Sequence, residues 1–359
     1  MNNIKYVVSL PLVLENIKNI KEYTQCKFCA VVKADAYGHN MTAFSPKIES
    51  EVDFFGVTTF GEALILRNAN IKKPILIMGK CDSASECIEY DLTISCISLK
   101  HIKTLAEKAK GKALNIHIKY NSGMNRLGVK TVQDVLAIIN YAKSNNIKVC
   151  GFFTHFATGF CDADFLNYQN KNFAKIIKTV KKHLPDIIIH AANTPACFVT
   201  KKCCYDMVRI GLGMYGYADL PPGYSRPVKV SPVLTITAKI VQIINIKAGE
   251  RVGYGNLFIA DKPMKVGVVG IGYADGVKKA NTNGEVYVNG QKTYIIGSVC
   301  MDMLTVDLTN IKASENDDVV ILDDAFGLNA SVLAKRCGTV TADILASFNY
   351  GRADYIIKE

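Results

Sequence analysis

Eight short apolar runs, each followed by an amphipathic stretch, constrain this chain more than any other feature. The runs are 28–33 (FCAVVK), 53–59 (DFFGVTT), 74–79 (PILIMG), 92–98 (LTISCIS), 113–121 (ALNIHIKYN), 147–155 (IKVCGFFTH), 187–193 (IIIHAAN) and 205–211 (YDMVRIG). Between them lie segments such as HIKTLAEKAK, VQDVLAIINYAKSN and FLNYQNKNFAKIIKTVKKH, whose apolar residues recur at helical spacing. Near-continuous apolar strands belong to a parallel sheet covered on both faces, and eight strand–helix units close into a (β/α)8 TIM barrel. After Pro227 the texture changes to short strands with Gly and Asn turns, and Asn289-Gly290 between EVYV and QKTYIIG is a two-residue hairpin signal. The expected fold is therefore α/β, with an N-terminal (β/α)8 barrel over 1–228 and a C-terminal all-β domain over 229–359.

With 359 residues the chain is long enough for two such domains, and 49% apolar with 21% charged residues is a globular balance. No apolar run approaches the ~18 residues of a membrane span. Tyr6 to Leu14 mimics a signal-peptide core, but no small-residue cleavage site follows, and Pro11 is expected to open an amphipathic helix. Twelve cysteines are scattered without a disulfide framework or histidine partners at zinc spacing. Buried, reduced thiols in a cytoplasmic protein are expected, with no metal site. The net charge of +11 comes from lysines spread over helices rather than clustered with aromatics, so a solvated surface is expected and no nucleic-acid partner.

Active sites of such barrels lie at the C-terminal ends of the strands. Lys33 is placed there at the end of the first strand, where scarce water favours its free amine. Arg126 follows the fifth strand and His155 ends the sixth. Asn193-Thr194 ends the seventh, and Arg209 with Gly211 ends the eighth. The loops after the last two strands commonly hold phosphate in this fold. The Thr194 hydroxyl and the N–H groups of Gly211 and Leu212 suit a phosphorylated cofactor.

The phrase AVVKADAYGH at 30–39 resembles the pyridoxal-phosphate signature of alanine racemases, with Asp35 for the usual Asn. The resemblance extends over almost the whole chain. It implies that Lys33 carries pyridoxal 5'-phosphate covalently and that Tyr37 contacts the phosphate. KYNSGMNRLG at 119–128 is similar to the family's Lys-x-Asp-Thr-Gly-Met-x-Arg-x-Gly. It implies that Arg126 contacts the cofactor's phenolic oxygen and the substrate carboxylate, which suit a guanidinium fork. Lys119 matches a lysine that is carbamylated in some members, while Asn121 replaces the common Asp. By the same resemblance, THFAT at 154–158 implies that His155 stands beside the cofactor ring, HAANTPA at 190–196 carries Thr194 where Ser is commoner, and MVRIGLGMYG at 207–216 implies that Arg209 partners the pyridine nitrogen. RVGYG at 251–255 resembles the family segment that holds its catalytic tyrosine, which implies that role for Tyr254. IGYADG and GSVCMD supply Tyr273 and the Met301 backbone near the substrate carboxylate. SFNYGR aligns Tyr350 with a phosphate-side tyrosine, although the family's usual Arg-Val-Pro-Arg ending is altered.

What the resemblance implies is interconversion of L- and D-alanine by two bases, Lys33 and Tyr254, on opposite faces of a planar intermediate. It further implies D-alanine supply for cell-wall peptide and a homodimer with shared sites. A racemase of the same fold acting on serine or a broader set of small amino acids is the alternative. A pyridoxal-phosphate-binding homeostasis protein without a defined reaction would resemble the barrel alone, and amino-acid decarboxylases of this fold type lack the VGYG, GYADG and CMD match.

Overall fold

The computed structural model describes residues 3–359. Its chain forms two compact units, one built from Leu14–Ala36 and Met41–Val230, the other from 3–13, Tyr37–Asn40 and Ser231–Glu359. The first strand, β1 (Ile4–Ser9), belongs to the second unit.

In the first unit eight parallel strands close into a barrel: β2 (Lys27–Val31), β3 (Phe54–Val57), β4 (Ile75–Ile77), β5 (Leu92–Cys96), β6 (Leu114–Lys119), β7 (Ile147–Phe153), β8 (Ile188–His190) and β9 (Met207–Ile210). All eight correspond to the apolar runs of the sequence. β4 and β5 are buried at every position, as strands covered on both faces must be. The intervening helices start where a side chain satisfies their first free N–H groups. Thr59 and Glu62 form a capping box, and Ser98, Thr131 and Asp162 accept from the backbone three residues on. Between β6 and β7 the register slips by one residue at Ile116/His117. The slip sets Gly151 opposite His117, and a Cβ there would lie 2.4 Å from the His117 ring. Glycine is what lets a full imidazole stand inside the barrel wall at that point.

The second unit is a sheet in the order β15-β14-β17-β10-β1-β18. Its strands are β10 (Leu234–Ile246), β14 (Glu285–Val288), β15 (Gln291–Tyr294), β17 (Asp318–Leu322) and β18 (Asp354–Lys358), β13 (Met264–Val269) and β16 (Leu304–Asp307) extend it from β10, and β11 (Arg251–Val252) pairs separately with β12 (Phe258–Ile259). Asn289 and Gly290 both take positive φ between β14 and β15, as a two-residue hairpin turn requires. Two features depart from the sequence expectation. Residues 4–9 pair antiparallel with β10 and parallel with β18, although nothing local marks them as part of this sheet. The C-terminal part also contains two helices, Ala330–Arg336 and Thr341–Ser347, so it is not wholly β. At seven residues each, they are too short to leave a helical period in the sequence. Among the described residues, no helix is long and apolar enough to cross a membrane.

Candidate active site

Lys33 lies two residues beyond β2, not within it, and opens the turn Lys33–Gly38. That turn is left-handed. Ala34, Asp35, Ala36 and Tyr37 all have φ between 50 and 55°. Left-handed backbone costs a non-glycine residue about 1–2 kcal/mol, so four in a row need external support. Ala36 N–H bonds the Val32 carbonyl at 2.8 Å, and Glu62 Oε1 accepts the Ala34 N–H at 2.7 Å. Asp35 Oδ1 accepts the Met41 N–H at 2.7 Å, a role the usual Asn would fill equally with its carbonyl oxygen. The result fixes the Lys33 Cα at the barrel mouth while leaving its amine without a hydrogen bond or ion pair among the described residues.

The groups around that amine are cationic. Burial lowers the Lys33 amine, and the nearby charges of Arg126 and Arg209 add to the effect, opposed only by Glu62. Lys119, at the end of β6, is held down to about 8 by burial first and then by Arg209, Arg126 and Lys33. Its Nζ donates to the Met78 carbonyl at 3.1 Å. Arg126 is exposed and makes no hydrogen bond or ion pair among the described residues. Asn121 does not reach it. Its Oδ1 accepts from Gly123 N and Asn125 N, shaping the loop. An Asp there would accept the same bonds and add a negative charge, which this chain lacks. The cluster therefore presents four cationic side chains and too little negative charge to balance them, so it is built to receive an anion.

Arg209 is buried inside β9. Its Nη2 donates to the carbonyls of Thr154 (2.8 Å) and Ala191 (3.0 Å) and to His155 Nδ1 (3.3 Å), and its Nη1 donates to His190 Nδ1 (3.0 Å). No carboxylate pairs with it among the described residues. Behind it His190 contacts His117 Nδ1 through Nε2 at 2.9 Å. A guanidinium only donates, so the proton positions follow. His190 accepts at Nδ1 and donates from Nε2, and His117 carries its own proton on Nε2, which has no partner. Burial and the Arg209 charge keep all three imidazoles neutral, with His117 pushed down to about 3 and His155 and His190 well below the usual range. Phe153 floors this layer. His190 stacks on it at 4.8 Å, and Lys119 Nζ and Arg209 Cζ stand 5.4 and 5.3 Å from its centroid. The sequence reading missed His117 and His190. One signal was available: His117 stands two residues before Lys119 on the same strand and so shares its face.

Thr194 is buried, and its hydroxyl accepts the Gly213 N–H at 3.1 Å. The carbonyls of Gly211 and Leu212 are taken by Met214, Tyr215 and Tyr217. The N–H groups of Gly211 and Leu212 have no acceptor among the described residues. The barrel unit thus brings together Lys33, Arg126, His155 and Arg209, while Thr194 is bonded to the loop that carries Gly211 and Leu212.

The other sequence-derived residues lie in the second unit. Tyr254 is 75% exposed, held between Gly253 and Gly255, both at φ 73°. Tyr273 and Met301 are exposed as well, and their backbones are clamped: Tyr273 N donates to Cys300 O, and Ala274 N to Met301 O. The Met301 N–H has no acceptor among the described residues. Gly272 permits this approach, since a Cβ there would lie 2.3 Å from the Met301 carbonyl. Tyr37 is half-buried, with its phenol pushed up to about 12 by burial, and Tyr350 packs against Tyr355 at 5.4 Å.

A barrel mouth that holds one unpaired lysine amine among guanidinium groups is suited to covalent amine chemistry on an anionic substrate, and the molecule falls in the class of (β/α)8-barrel enzymes. Models of the alanine racemase N-terminal and C-terminal domains match residues 8–219 and 233–354. The chain is 34% identical to alanine racemase 2 of Caldanaerobacter subterraneus, covering 94% of this chain and 90% of that one. It is 33% identical to the alanine racemase of Thermodesulfovibrio yellowstonii, covering 98% and 97%. The alanine racemase of Clostridium difficile superposes with a TM-score of 0.93 at 28% identity over 99% of this chain and 96% of that one. The Bacillus anthracis enzyme, solved with bound L-Ala-P, superposes at 0.91 and 25% identity over 100% and 96%. The chain belongs to the alanine racemase family, and it is an enzyme.

Proposed function

We propose that the chain racemises alanine with pyridoxal 5'-phosphate held on Lys33, using Lys33 and Tyr254 as the two bases. The observation that carries this reading is the free, partly buried Lys33 amine in a barrel mouth where Glu62 alone opposes the basic groups around it. The donor set fits the cofactor. The Thr194 hydroxyl and the free N–H groups of Gly211 and Leu212 suit its phosphate, with Tyr37 and Tyr350 assigned to the same group by family likeness. When bound, the cofactor supplies a carbonyl carbon to an amine and a sink for electrons released at Cα.

The protein's own residues then set direction. Lys33, lowered by burial, takes or returns a proton at Cα on one face, and Tyr254 does so on the other. Arg126, with no partner of its own, holds the substrate carboxylate bidentately, assisted by Tyr273 and the Met301 N–H. By family likeness His155 would stand beside the ring of the bound cofactor. Arg209 only donates, so it would leave the cofactor's ring nitrogen unprotonated and the electron sink weak, favouring return of the proton to Cα. The exposure of Tyr254, Leu257, Ile259, Tyr273, Met301 and Met303 on the second unit fits a homodimer in which a partner covers them. Twelve free cysteines fit a reducing cytoplasm, and the product fits D-alanine supply to cell-wall peptidoglycan. Incubation of the purified enzyme with L-alanine, L-serine and L-lysine, followed by chiral detection, tests the reading. D-alanine is expected to form fastest. Faster D-serine would transfer the assignment to the alternative substrate.

A further inference from the structure

Cys81 and Cys87, like the neighbours Cys203 and Cys204, form a buried thiol pair, and theirs lies on a loop that leads to the site. Their Sγ atoms are 3.8 Å apart and buried, beside the barrel's β4 rim. Cys81 lies in the loop after β4, and Cys87 lies on the helix Ala84–Glu89, whose Cys87 N–H bonds the Ser83 carbonyl at 2.9 Å. His101 accepts the Ile97 N–H at Nδ1, so its Nε2 donates, reaching the Cys81 carbonyl at 3.0 Å. The main chain of Cys81 is thereby fixed while its sulfur faces its partner. The two thiols are unequal. Cys81 is lowered, chiefly by the hydrogen bond from the Cys87 thiol, whereas Cys87 is raised. One thiol is thus suited to attack and the other to resolve.

The same loop reaches the active site. Three residues before Cys81, the Met78 carbonyl accepts the Lys119 Nζ hydrogen bond. The link is stiff, because Met78 N and Gly79 N donate to Val57 and Thr58 carbonyls, and a Cβ on Gly79 would lie 2.4 Å from Thr58 O.

We propose that Cys81 and Cys87 form a reversible disulfide under peroxide, and that closing it lowers turnover through the Met78–Lys119 contact. The Cys81 thiolate attacks one oxygen of hydrogen peroxide, breaking the O–O bond to give a sulfenic acid and hydroxide, which takes up the proton Cys81 gave up. The Cys87 sulfur then attacks the Cys81 sulfur and expels the sulfenic oxygen, which leaves as water with the Cys87 proton. Two thiols and one peroxide become one disulfide and two waters. The sulfurs close from 3.8 Å to about 2.05 Å, and the strain this puts on the Cys81 main chain passes along the short, stiff link to the Met78 carbonyl.

The test is peroxide titration of the cofactor-loaded enzyme, with alkylation and peptide mapping beside an alanine racemisation assay. Cys81–Cys87 linkage is expected before oxidation of any other thiol except the exposed Cys161 and the similarly paired Cys203 and Cys204, with a several-fold loss of kcat/KM that dithiothreitol restores. Cys87→Ser is expected to trap a dimedone-reactive Cys81, and both Cys81→Ser and Cys87→Ser should keep activity under peroxide. No Cys81–Cys87 linkage, or a loss of activity equal in the serine variants, would overturn the proposal. A linkage that leaves kcat/KM unchanged would overturn the coupling to Lys119. The mapping is independent of the substrate assignment, so its failure and a failure of the racemase reading are distinguishable.

Discussion

The proton order along Arg209, His190 and His117 makes two similar substitutions unequal. His190→Phe removes the acceptor of the buried guanidinium at 3.0 Å and the donor to His117 at 2.9 Å. A lost hydrogen bond to a buried charge costs about 1.5–3 kcal/mol, and the stranded His117 nitrogen adds about 1 kcal/mol. The expected loss is therefore about 3 kcal/mol. His117→Phe strands one N–H, that of His190, but it also deletes the His117 Nε2–H, which has no partner. One unpaired donor replaces another, and the ring shape is kept in the space that Gly151 leaves. The net change is expected to stay within about 1 kcal/mol. At about 2–4 °C per kcal/mol, His190→Phe should melt about 6–12 °C below wild type and His117→Phe within about 4 °C of it. Calorimetry on the cofactor-free proteins near pH 7.5 reads this without ligand stabilisation. A His117→Phe melting point as low as that of His190→Phe would refute the proton order.

The same imidazoles make stability depend on pH. His117 is neutral down to about 3 when folded but titrates near 6.5 when unfolded, so the unfolded chain gains protons first as pH falls. Stability present above about 6.5 is then lost on acidification, by roughly 2 kcal/mol at pH 5 from His117 alone, and urea midpoints at pH 7 and 5 check it. Borohydride reduction of the loaded enzyme should fix the cofactor on the peptide containing Lys33, and a label on another lysine would contradict the assignment. Arg209→Glu should lower racemisation and raise pyruvate formation from alanine, with cofactor recovered in its amine form; racemisation unchanged and no pyruvate would show that Arg209 does not tune the ring. Mixed and reassociated Lys33→Ala and Tyr254→Phe subunits should regain activity, because one site collects both lesions and the other none. Heterodimers that stay inactive would place both bases within one chain.

Strand identity in the barrel was legible locally, because a strand buried on both faces must be apolar at nearly every position. The rim residues followed, since the fold places its chemistry where those runs end. Lys33, Arg126, Thr194 and Arg209 could thus be named from spacing and likeness alone. Strand ends were less legible: Lys33 lies in a left-handed turn, and the Glu62 side chain that supports the turn at Ala34 comes from 28 positions away. β1 was hidden because its partners, β10 and β18, lie more than two hundred residues along the chain. The His117–His190–Arg209 relay depends on register across β6 to β9, and pairing between strands leaves no mark within either one. Local sequence determines the strands of the barrel and the positions of the side chains proposed to carry chemistry. Hydrogen-bond partners, proton positions and burial are set by contacts between distant segments, and only tertiary structure decides them.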